Sequence, residues 1–413
     1  MQNIVPGQTL QALPNDTELN DPNPSGSTGS TGSSGYLETP GRLPGEAVLD
    51  ATRAWLATYV LTATPEDLDL LTLWATHTHL CNETWSTPRL LLDSPMPGSG
   101  KTTVLDHLNR LCLNPVQAAS LSSPSLLARL LENGPRTILI DEADRTLSPK
   151  ADGVGELLAV LNSGYRRGAS RPVLVPDPEQ GWVAREMSTF GPVVMAGNAP
   201  ALPDDTRSRC TRVMLMPDIH GEVEDSDWQT IGPAAEDLGN RLFDWADSVR
   251  DIVANNRPEL PDGLKGRNRE RWEPLLRVAE AAGGPWPERC RTLIQRDMDG
   301  QREEREAGLD RRPRHMQLLE DMRDVWPDGE PFMSTADLLA AVKARNPLFW
   351  GPLSQYGDLT PQGMGRTIRN HFNVLTDRET DGARRRGYRL TTLEPLFRRF
   401  CAPSSALGVT PSR

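Results

Sequence analysis

The sequence contains few cysteines, no long apolar run and no excess of positive charge. Its five cysteines are widely spaced and form no CxxC pair, so we expect neither a disulfide framework nor a cysteine zinc site. The absence of about 18 consecutive apolar residues excludes a predicted membrane span. The amino-terminal residues lack a basic segment followed by an apolar one, which excludes a predicted secretory signal. These absences together predict a reduced, cytoplasmic protein.

Positive charge is scarce as an average but not everywhere. The chain has 45 Lys and Arg against 56 Asp and Glu, a net charge of −11. This balance excludes nonspecific coating of nucleic acid by the whole surface. Residues 361–400 differ, with nine arginines and four acidic residues, a local charge of +5 that leaves −16 on the remainder. One basic segment within an acidic protein is therefore predicted.

Composition and apolar periodicity divide the 413 residues into segments, two or three of which are long enough to be domains. The Gly-, Ser- and Thr-rich stretch 21–35 predicts a flexible arm. In chain order, we expect a disordered arm (1–45), a helical extension (46–87), an α/β core (88–218), a mainly helical segment (219–300), a charged linker (301–314), a terminal module (315–402) and a tail (403–413).

Within 88–218, short apolar runs alternate with helical stretches, the pattern of a parallel sheet with helices on both faces. The expected strands cover 89–94, 116–120, 136–141, 192–197 and 212–216. The expected helices cover 103–113, 124–132 and 154–163. The terminal module has three helical patterns, a strand-turn-strand stretch and a last helix, which is the order of a winged helix.

A glycine-rich loop follows the first expected strand and begins the first helix of the core, with the sequence PMPGSGKTT (95–103). Glycines let backbone N–H groups approach phosphate oxygens, and the helix N-terminus favours an anion. We predict that Lys101 contacts the β- and γ-phosphates of ATP and that Thr102 holds Mg²⁺. The usual pattern has Gly where this chain has Pro95. The other expected nucleotide contacts are Pro97, Gly98, Ser99, Gly100 and Thr103.

Two later strands end in polar residues, at the edge where ligands collect in open α/β sheets. The strand TILI is followed by Asp141, predicted to hold Mg²⁺, and by Glu142, predicted to polarise the attacking water. The strand VVMAG is followed by Asn198. We expect Asn198 to contact the γ-phosphate or to orient the water, the alternative being an ordinary post-strand turn.

Several arginines follow this last polar residue. We interpret Arg209 as an arginine finger that crosses a subunit boundary to a neighbour's γ-phosphate. Arg207 and Arg212 are alternatives, and a surface salt bridge is the competing explanation for each. A finger acting in trans implies a ring homo-oligomer.

The order of these motifs resembles that of the additional-strand P-loop ATPases, which include the AAA+ group and the superfamily-3 helicases of viruses and plasmids. The resemblance covers 88–218 and implies an AAA+-like P-loop fold with a helical lid at 219–300. It assigns Walker A to Lys101 and Thr102, Walker B to Asp141 and Glu142, sensor 1 to Asn198 and the finger to Arg209.

A closer resemblance covers nearly all of 68–402. It is to a family of phage and mobile-element proteins catalogued as a domain of unknown function, often described as helicase-like and in some members fused to primase-polymerase modules. It implies ATP-driven work on DNA in phage or plasmid replication, in the bacterial or phage-infected host cytoplasm. It also implies a sensor-2-like role for Arg267, with Arg269 and Arg271 as alternatives. The matching segments include LWATHTHL (73–80), TILIDEAD (137–144), LNSGYRRGA (161–169), RWEPLLRVAEAAGGPWPERCR (271–291) and RRGYRLTTLEPLFRRF (385–400).

The basic segment coincides with the recognition helix and wing of the predicted winged helix. Arg366 and Arg369, three residues apart, share one helical face. Arg384 to Arg386 lie at the expected wing tip, 381–388, and suit phosphate contact, with Tyr388 expected to stack on a base. The alternative is a winged helix that contacts protein and uses arginine for solubility.

Three functions remain open at this point. The first is an ATP-hydrolysing motor or remodeller acting on single-stranded or forked DNA, with primase or other replication proteins as partners. The second is a nucleotide-gated DNA-binding switch or loader that does not unwind DNA. The third is a degenerate P-loop scaffold, which the intact Lys101, Thr102, Asp141 and Glu142 disfavour.

Overall fold

The computed structural model of the chain describes residues 44–118, 123–149, 153–306, 313–354, 356–380 and 384–401. The expected arm before residue 44 and the expected tail after residue 401 lie outside these ranges. The chain divides into two compact units, the first ending at Pro287 and the second beginning at Glu288. In these ranges, no helix has the length and apolar character needed to cross a membrane.

The first unit is a mixed α/β structure. Its strands are β1 (Arg89–Ser94), β2 (Val116–Ala118), β3 (Ile138–Ile140), β4 (Ser170–Asp177), β5 (Gly181–Ser188), β6 (Val193–Asn198) and β7 (Cys210–Met214). Its helices are α1 (Gly45–Tyr59), α2 (Glu66–Thr78), α3 (Lys101–Leu111), α4 (Pro124–Leu130), α5 (Ala143–Thr146), α6 (Val154–Ser163), α7 (Asp204–Arg207), α8 (Trp228–Asn255) and α9 (Gly266–Ala282). Helix α10 (Trp286–Glu306) begins at the end of this unit.

A five-stranded parallel sheet forms the centre of the first unit, in the order β2-β3-β6-β1-β7. Strands β1 and β3 are buried at every position, as expected for a parallel sheet covered on both faces. The predicted α/β core with a parallel sheet is therefore confirmed. The first strand, 89–94, and the helix 154–163 have the predicted bounds, whereas β7 begins two residues before the predicted strand.

The hairpin of β4 and β5 was not predicted. These two strands pair with each other and form a separate two-stranded sheet. One face packs Val173 and Met187 against Ala128 of α4, and the other face exposes Leu174 and Trp182. Prolines inside the run weaken a strand pattern in the sequence, but an unpaired edge tolerates the missing N–H donors.

The second unit builds a small helical core around a three-stranded antiparallel sheet. Beyond α10 it contains α11 (Arg314–Asp324), β8 (Phe332–Ser334), α12 (Thr335–Arg345), α13 (Pro347–Trp350), α14 (Pro361–Phe372), β9 (Asp377–Arg378), β10 (Arg386–Arg389) and α15 (Leu390–Phe400). The sheet order is β8-β10-β9. Met364 and Ile368 of α14 are fully buried in this core, so the opposite face of that helix lies at the surface.

Candidate functional site

The loop between β1 and α3 adopts a conformation that requires glycine. Gly98 and Gly100 have φ values of +79° and +74°, in the left-handed region that residues with a Cβ adopt at a cost. Gly100 directly precedes the first turn of α3, which begins at Lys101. The loop therefore presents a helix N-terminus at the carboxyl edge of the parallel sheet.

Lys101 joins this loop to the end of β6. Its Nζ donates to Oδ1 of Asn198 at 2.7 Å and also to the hydroxyl of Ser94. Partial burial lowers the pKa of Lys101, while the nearby carboxylates of Asp144 and Asp141 oppose that shift. The residues predicted as Walker A lysine and sensor 1 thus lie in direct contact.

Thr102 is paired with Asp141 across the sheet edge. The Thr102 hydroxyl donates to Oδ2 of Asp141 at 3.0 Å. A hydroxyl and a carboxylate oxygen are ligands that Mg²⁺ accepts, and the ion ordinarily keeps water and phosphate oxygens as its other ligands. No group of three or more His, Cys, Asp or Glu side chains suits a metal within the described ranges, so Mg²⁺ here depends on those additional oxygens. The pair fits Mg²⁺ held together with a nucleotide.

Glu142 forms an ion pair with a neighbouring arginine. Its backbone is left-handed, with φ of +48°, and its N–H donates to Oδ1 of Asp141 at 2.8 Å. Its exposed carboxylate accepts an ion pair from Arg145 at 3.1 Å. Because both side chains are largely exposed, this ion pair is weak and the carboxylate can exchange its partner.

Asp144 supports the end of β6, a role that the sequence did not reveal. Its Oδ1 accepts the backbone N–H of Asn198 at 3.2 Å. A Cβ on Gly197 would lie 2.9 Å from both the backbone N and the Oδ1 of Asp144, so only glycine permits this approach. Asp144 follows Asp141 by three residues, at the start of α5, which is the only sequence signal for it.

Gly197→Ala is expected to destabilise the first unit by about 1–3 kcal/mol, because the added methyl group overpacks against the Asp144 backbone. Denaturant unfolding measures this change. Gly155→Ala is the matched control, because a Cβ there meets no atom within 4 Å. Equal stability of the two variants would contradict the close packing at Gly197.

A pocket of about 300 Å³ adjoins the glycine-rich loop. Apolar walls come from Leu61, just after α1, and from Met216 and Val223, beyond β7. The backbone N–H of Met216 donates to the Leu61 carbonyl at 3.1 Å, which ties the two walls together. Sequence reasoning missed these residues because they come from segments far apart in the chain. The lining also includes the acidic residues Asp218, Glu224 and Asp225, so the apolar walls form only one part of the pocket. That apolar part, beside a phosphate loop, suits a nucleobase.

His107 anchors α3 behind that pocket. Its Nδ1 accepts from Trp55 Nε1 at 3.0 Å, and its Nε2 lies 3.1 Å from the hydroxyl of Ser226, a pocket residue. Burial, assisted by the Arg110 charge, lowers the pKa of His107 to about 4, which keeps the ring neutral and able to accept from Trp55. The His107 imidazole therefore links α1, α3 and the segment before α8.

The finger and sensor-2 candidates lie together at Asp205. Its Oδ1 pairs with Arg209 at 2.6 Å and with Arg267 at 2.9 Å. The Arg209 side chain is only 15% exposed. Arg267 therefore contacts α7 of its own chain, and the pocket beside the glycine-rich loop is lined by other residues.

The alternatives to Arg209 and Arg267 are placed differently. Arg207 is exposed and makes one long hydrogen bond, 3.4 Å, to the Pro200 carbonyl. Arg212 pairs with Asp93 at 2.7 Å. Arg269 pairs with Glu273 at 2.6 Å, and Arg271 is buried and donates to the Cys210 carbonyl. Arg207 and Arg212 are both exposed, whereas Arg209 is mostly buried.

The basic residues of the second unit separate into exposed and paired groups. Arg366 and Arg369 are both exposed on α14. Arg384 and Arg386 are also exposed, near the start of β10. Arg385 forms ion pairs with Asp337 at 2.9 Å and Glu379 at 3.1 Å. The surface therefore offers fewer free guanidinium groups than the sequence suggests.

The expectation that Tyr388 stacks on a base is corrected by its burial. The side chain lies on β10 and is 1% exposed, within the core of the second unit. Burial does not alternate along β10: Arg386 is exposed, whereas Gly387 and Tyr388 are both buried, and the four-residue strand leads directly into α15. Positions 381–383 of the expected wing tip lie outside the described residues.

Two solved structures align with the chain. The apo structure of the NrS-1 C-terminal region aligns at 12% identity with a TM-score of 0.40, covering 85% of this chain and 78% of that one. The full-length MCM homolog from Methanopyrus kandleri aligns at 13% identity with a TM-score of 0.34, covering 62% of each chain. Both TM-scores lie below 0.5, so neither decides the fold or function of this chain.

Sequence comparison gives a curated relative and a family. The relative is an uncharacterized 28.9 kDa protein in the xis 5′ region of Saccharopolyspora erythraea, 27% identical over 180 residues and 43% of this chain. The chain spans 65% of that relative's length. A family model described as a protein of unknown function, DUF3631, matches residues 219–400. Over less than half of its length, the chain is thus similar to a family whose own function is unknown.

Proposed function

We propose that the chain is an ATP-hydrolysing, AAA+-like P-loop ATPase that acts on DNA as a helicase-like motor or remodeller. The observation that carries the proposal is the convergence of four side chains from three strand ends. Lys101 contacts Asn198 at 2.7 Å, and Thr102 contacts Asp141 at 3.0 Å. Two such pairs at the carboxyl edge of a parallel sheet, beside a glycine-rich loop, match what phosphoryl transfer needs.

Each residue has a distinct part in the proposed reaction. The N–H groups of residues 98–102 and the Lys101 ammonium hold the phosphates, and the pocket of Leu61 and Met216 takes the base. Mg²⁺, when bound by Thr102 and Asp141, neutralises charge that develops on the phosphates. Asn198 orients the γ-phosphate or the water through its amide. Once the Glu142 carboxylate has separated from Arg145, it accepts a proton from the attacking water.

The Glu142–Arg145 ion pair also favours the second candidate, a nucleotide-gated switch or loader. An ATPase whose catalytic carboxylate is held by a neighbouring cation hydrolyses slowly until another event releases it. DNA or a neighbouring subunit is the expected trigger, and the exposed Arg207 is one candidate to reach a neighbour's nucleotide. The two candidates share one active site and differ in what hydrolysis drives.

The second unit is proposed as the DNA-binding module. Its order α11-β8-α12-α13-α14-β9-β10-α15 and its sheet order β8-β10-β9 support a winged-helix interpretation in which α14 is the recognition helix. The exposed Arg366 and Arg369 lie on the face of α14 opposite the buried Met364 and Ile368. That face would approach phosphates or base edges.

The two candidates are distinguished by measuring DNA-stimulated ATP hydrolysis beside strand separation of a forked duplex, with the same protein preparation. We expect stimulated hydrolysis in either case. Strand separation identifies a motor, whereas stimulation without separation identifies a switch or loader. Absence of any hydrolysis, with or without DNA, contradicts the proposed function.

Replacing Arg366 and Arg369 together with glutamine is expected to lower DNA affinity and to reduce the dependence of log affinity on log salt by about one to two, since two phosphate contacts are lost. Fluorescence anisotropy over a salt series measures both quantities. The control is Arg398→Gln on α15, where the guanidinium is 78% exposed but paired with Glu394. An unchanged salt slope in the double variant removes α14 from the DNA interface.

A further inference from the structure

A second pocket lies on the first unit at the opposite edge of the sheet from the glycine-rich loop. Its volume is about 450 Å³, within the range of small-ligand sites. One wall is the segment Thr84–Ser86, which precedes β1, and the other is α9 with Arg257. The glycine-rich loop follows the far end of β1, so the six residues of that strand separate the two places by about 20 Å.

The lining is cationic in a protein that is acidic as a whole. Arg257, Arg269 and Arg277 line the pocket together with Glu270 and Glu273, a local charge of +1 against −11 for the chain. Arg166 pairs with Glu270 at 2.8 Å and so neutralises one of the two carboxylates from outside the lining. The small positive excess of the lining, in a protein that is acidic as a whole, favours an anionic ligand.

One of these arginines retains capacity for an anion. Arg269 and Arg277 both pair with Glu273, and the Arg277 side chain is only 8% exposed. The Arg257 guanidinium is exposed and donates only to the carbonyls of Ala254 and Asn256; it has no ion pair within the described ranges. An exposed guanidinium that lacks a carboxylate partner can pair with a phosphate.

An aromatic ring stands at the same pocket. Trp85 is 57% exposed, although large aromatic side chains are usually mostly buried. Its backbone is fixed, because the carbonyl accepts the Arg167 N–H at 2.9 Å. The neighbouring Ser86 hydroxyl donates to the Glu270 carbonyl at 2.7 Å, which joins the two walls. An exposed indole on a fixed backbone, beside a guanidinium group, suits a base that stacks and a phosphate that pairs.

We propose that this pocket binds one nucleotide unit, with its base on Trp85 and its phosphate on Arg257. The unit is either a free nucleotide or one residue of a single-stranded nucleic acid, since both offer the same base and phosphate. The site is independent of the nucleotide-hydrolysing centre. When the protein is bound to a single-stranded nucleic acid, this pocket would hold the nucleic acid on the first unit and not only on the basic surface of the second unit.

The test uses the full-length protein carrying Lys101→Ala, so that the glycine-rich loop does not contribute. A fluorescein-labelled oligothymidine with 5-iodouracil substituted for some thymines is bound, its affinity is measured by anisotropy, and photo-crosslinks are mapped by peptide mass spectrometry. We expect a crosslink at Trp85. Trp85→Ala is expected to abolish that crosslink and weaken binding by about tenfold, and Arg257→Gln to reduce the salt slope by about one.

Trp182→Ala is the matched control, because this indole on β5 is 68% exposed but lies outside the pocket. Excess thymidine monophosphate distinguishes the two sources: competition for the crosslink identifies a free-nucleotide site, and a crosslink without competition identifies a strand site. Crosslinks that map elsewhere, with affinity and salt slope unchanged in Trp85→Ala and Arg257→Gln, overturn the proposal. That result leaves the ATPase assignment intact, since ATP binding by the wild-type protein is measured separately.

Discussion

Lys101→Ala is expected to lower ATP affinity by more than 100-fold and to abolish measurable hydrolysis. The ammonium would contact two phosphates, and hydrogen bonds to charged groups contribute about 1.5–3 kcal/mol each. The side chain already lies at the carboxyl edge of the sheet, where it donates to Asn198. Isothermal titration with a non-hydrolysable ATP analogue measures the loss.

Two controls test whether the lost ATP affinity comes from the missing Lys101 ammonium and not from a general loss of charge or of stability. Lys343→Ala, which removes an ammonium paired with Asp358 in the second unit, should leave nucleotide affinity unchanged. The thermal unfolding midpoint of Lys101→Ala without nucleotide should stay close to that of the wild-type protein, because the lysine is only partly buried. Wild-type ATP affinity in Lys101→Ala would remove the loop 95–103 from nucleotide binding.

Glu142→Gln is expected to retain ATP affinity and to lower the hydrolysis rate by about 10²–10⁴-fold, the usual contribution of a positioned general base. Glutamine keeps the size of the side chain but cannot accept the proton of the attacking water. Single-turnover hydrolysis, measured beside equilibrium binding, separates the two quantities. Turnover at the wild-type rate would exclude Glu142 from the chemistry.

Arg145→Ala is the informative partner of that variant. It removes the ion pair at 3.1 Å while leaving the Glu142 carboxylate in place. If the pair restrains the catalytic carboxylate, hydrolysis without DNA should rise and the stimulation by DNA should shrink. A fall in the hydrolysis rate to the level of Glu142→Gln would show instead that Arg145 itself is needed for the reaction.

Much of the first unit could be predicted because its signals are local. Buried parallel strands appear as continuous apolar runs, and the strand 89–94 and the helix 154–163 were predicted with the observed bounds. The glycine-rich loop was also predictable, since a turn at positive φ before a helix restricts the residue types within a few positions. The hairpin of β4 and β5 was missed because Pro172 and Pro176 interrupt its pattern.

The sequence by itself determined which residues precede and follow each strand end, and therefore that Lys101, Thr102, Asp141 and Asn198 meet at one edge of a sheet. Only the tertiary structure decided the partners of long side chains. It placed Arg267 with Arg209 on Asp205, buried Tyr388 and paired Arg385 with acids, and it gave Arg257 no ion pair among the residues that the structure describes. The physical reason is the distance along the chain over which each feature is determined. The direction of the local backbone sets where a strand ends. An arginine, in contrast, pairs with whichever carboxylate the packing of distant segments brings near it.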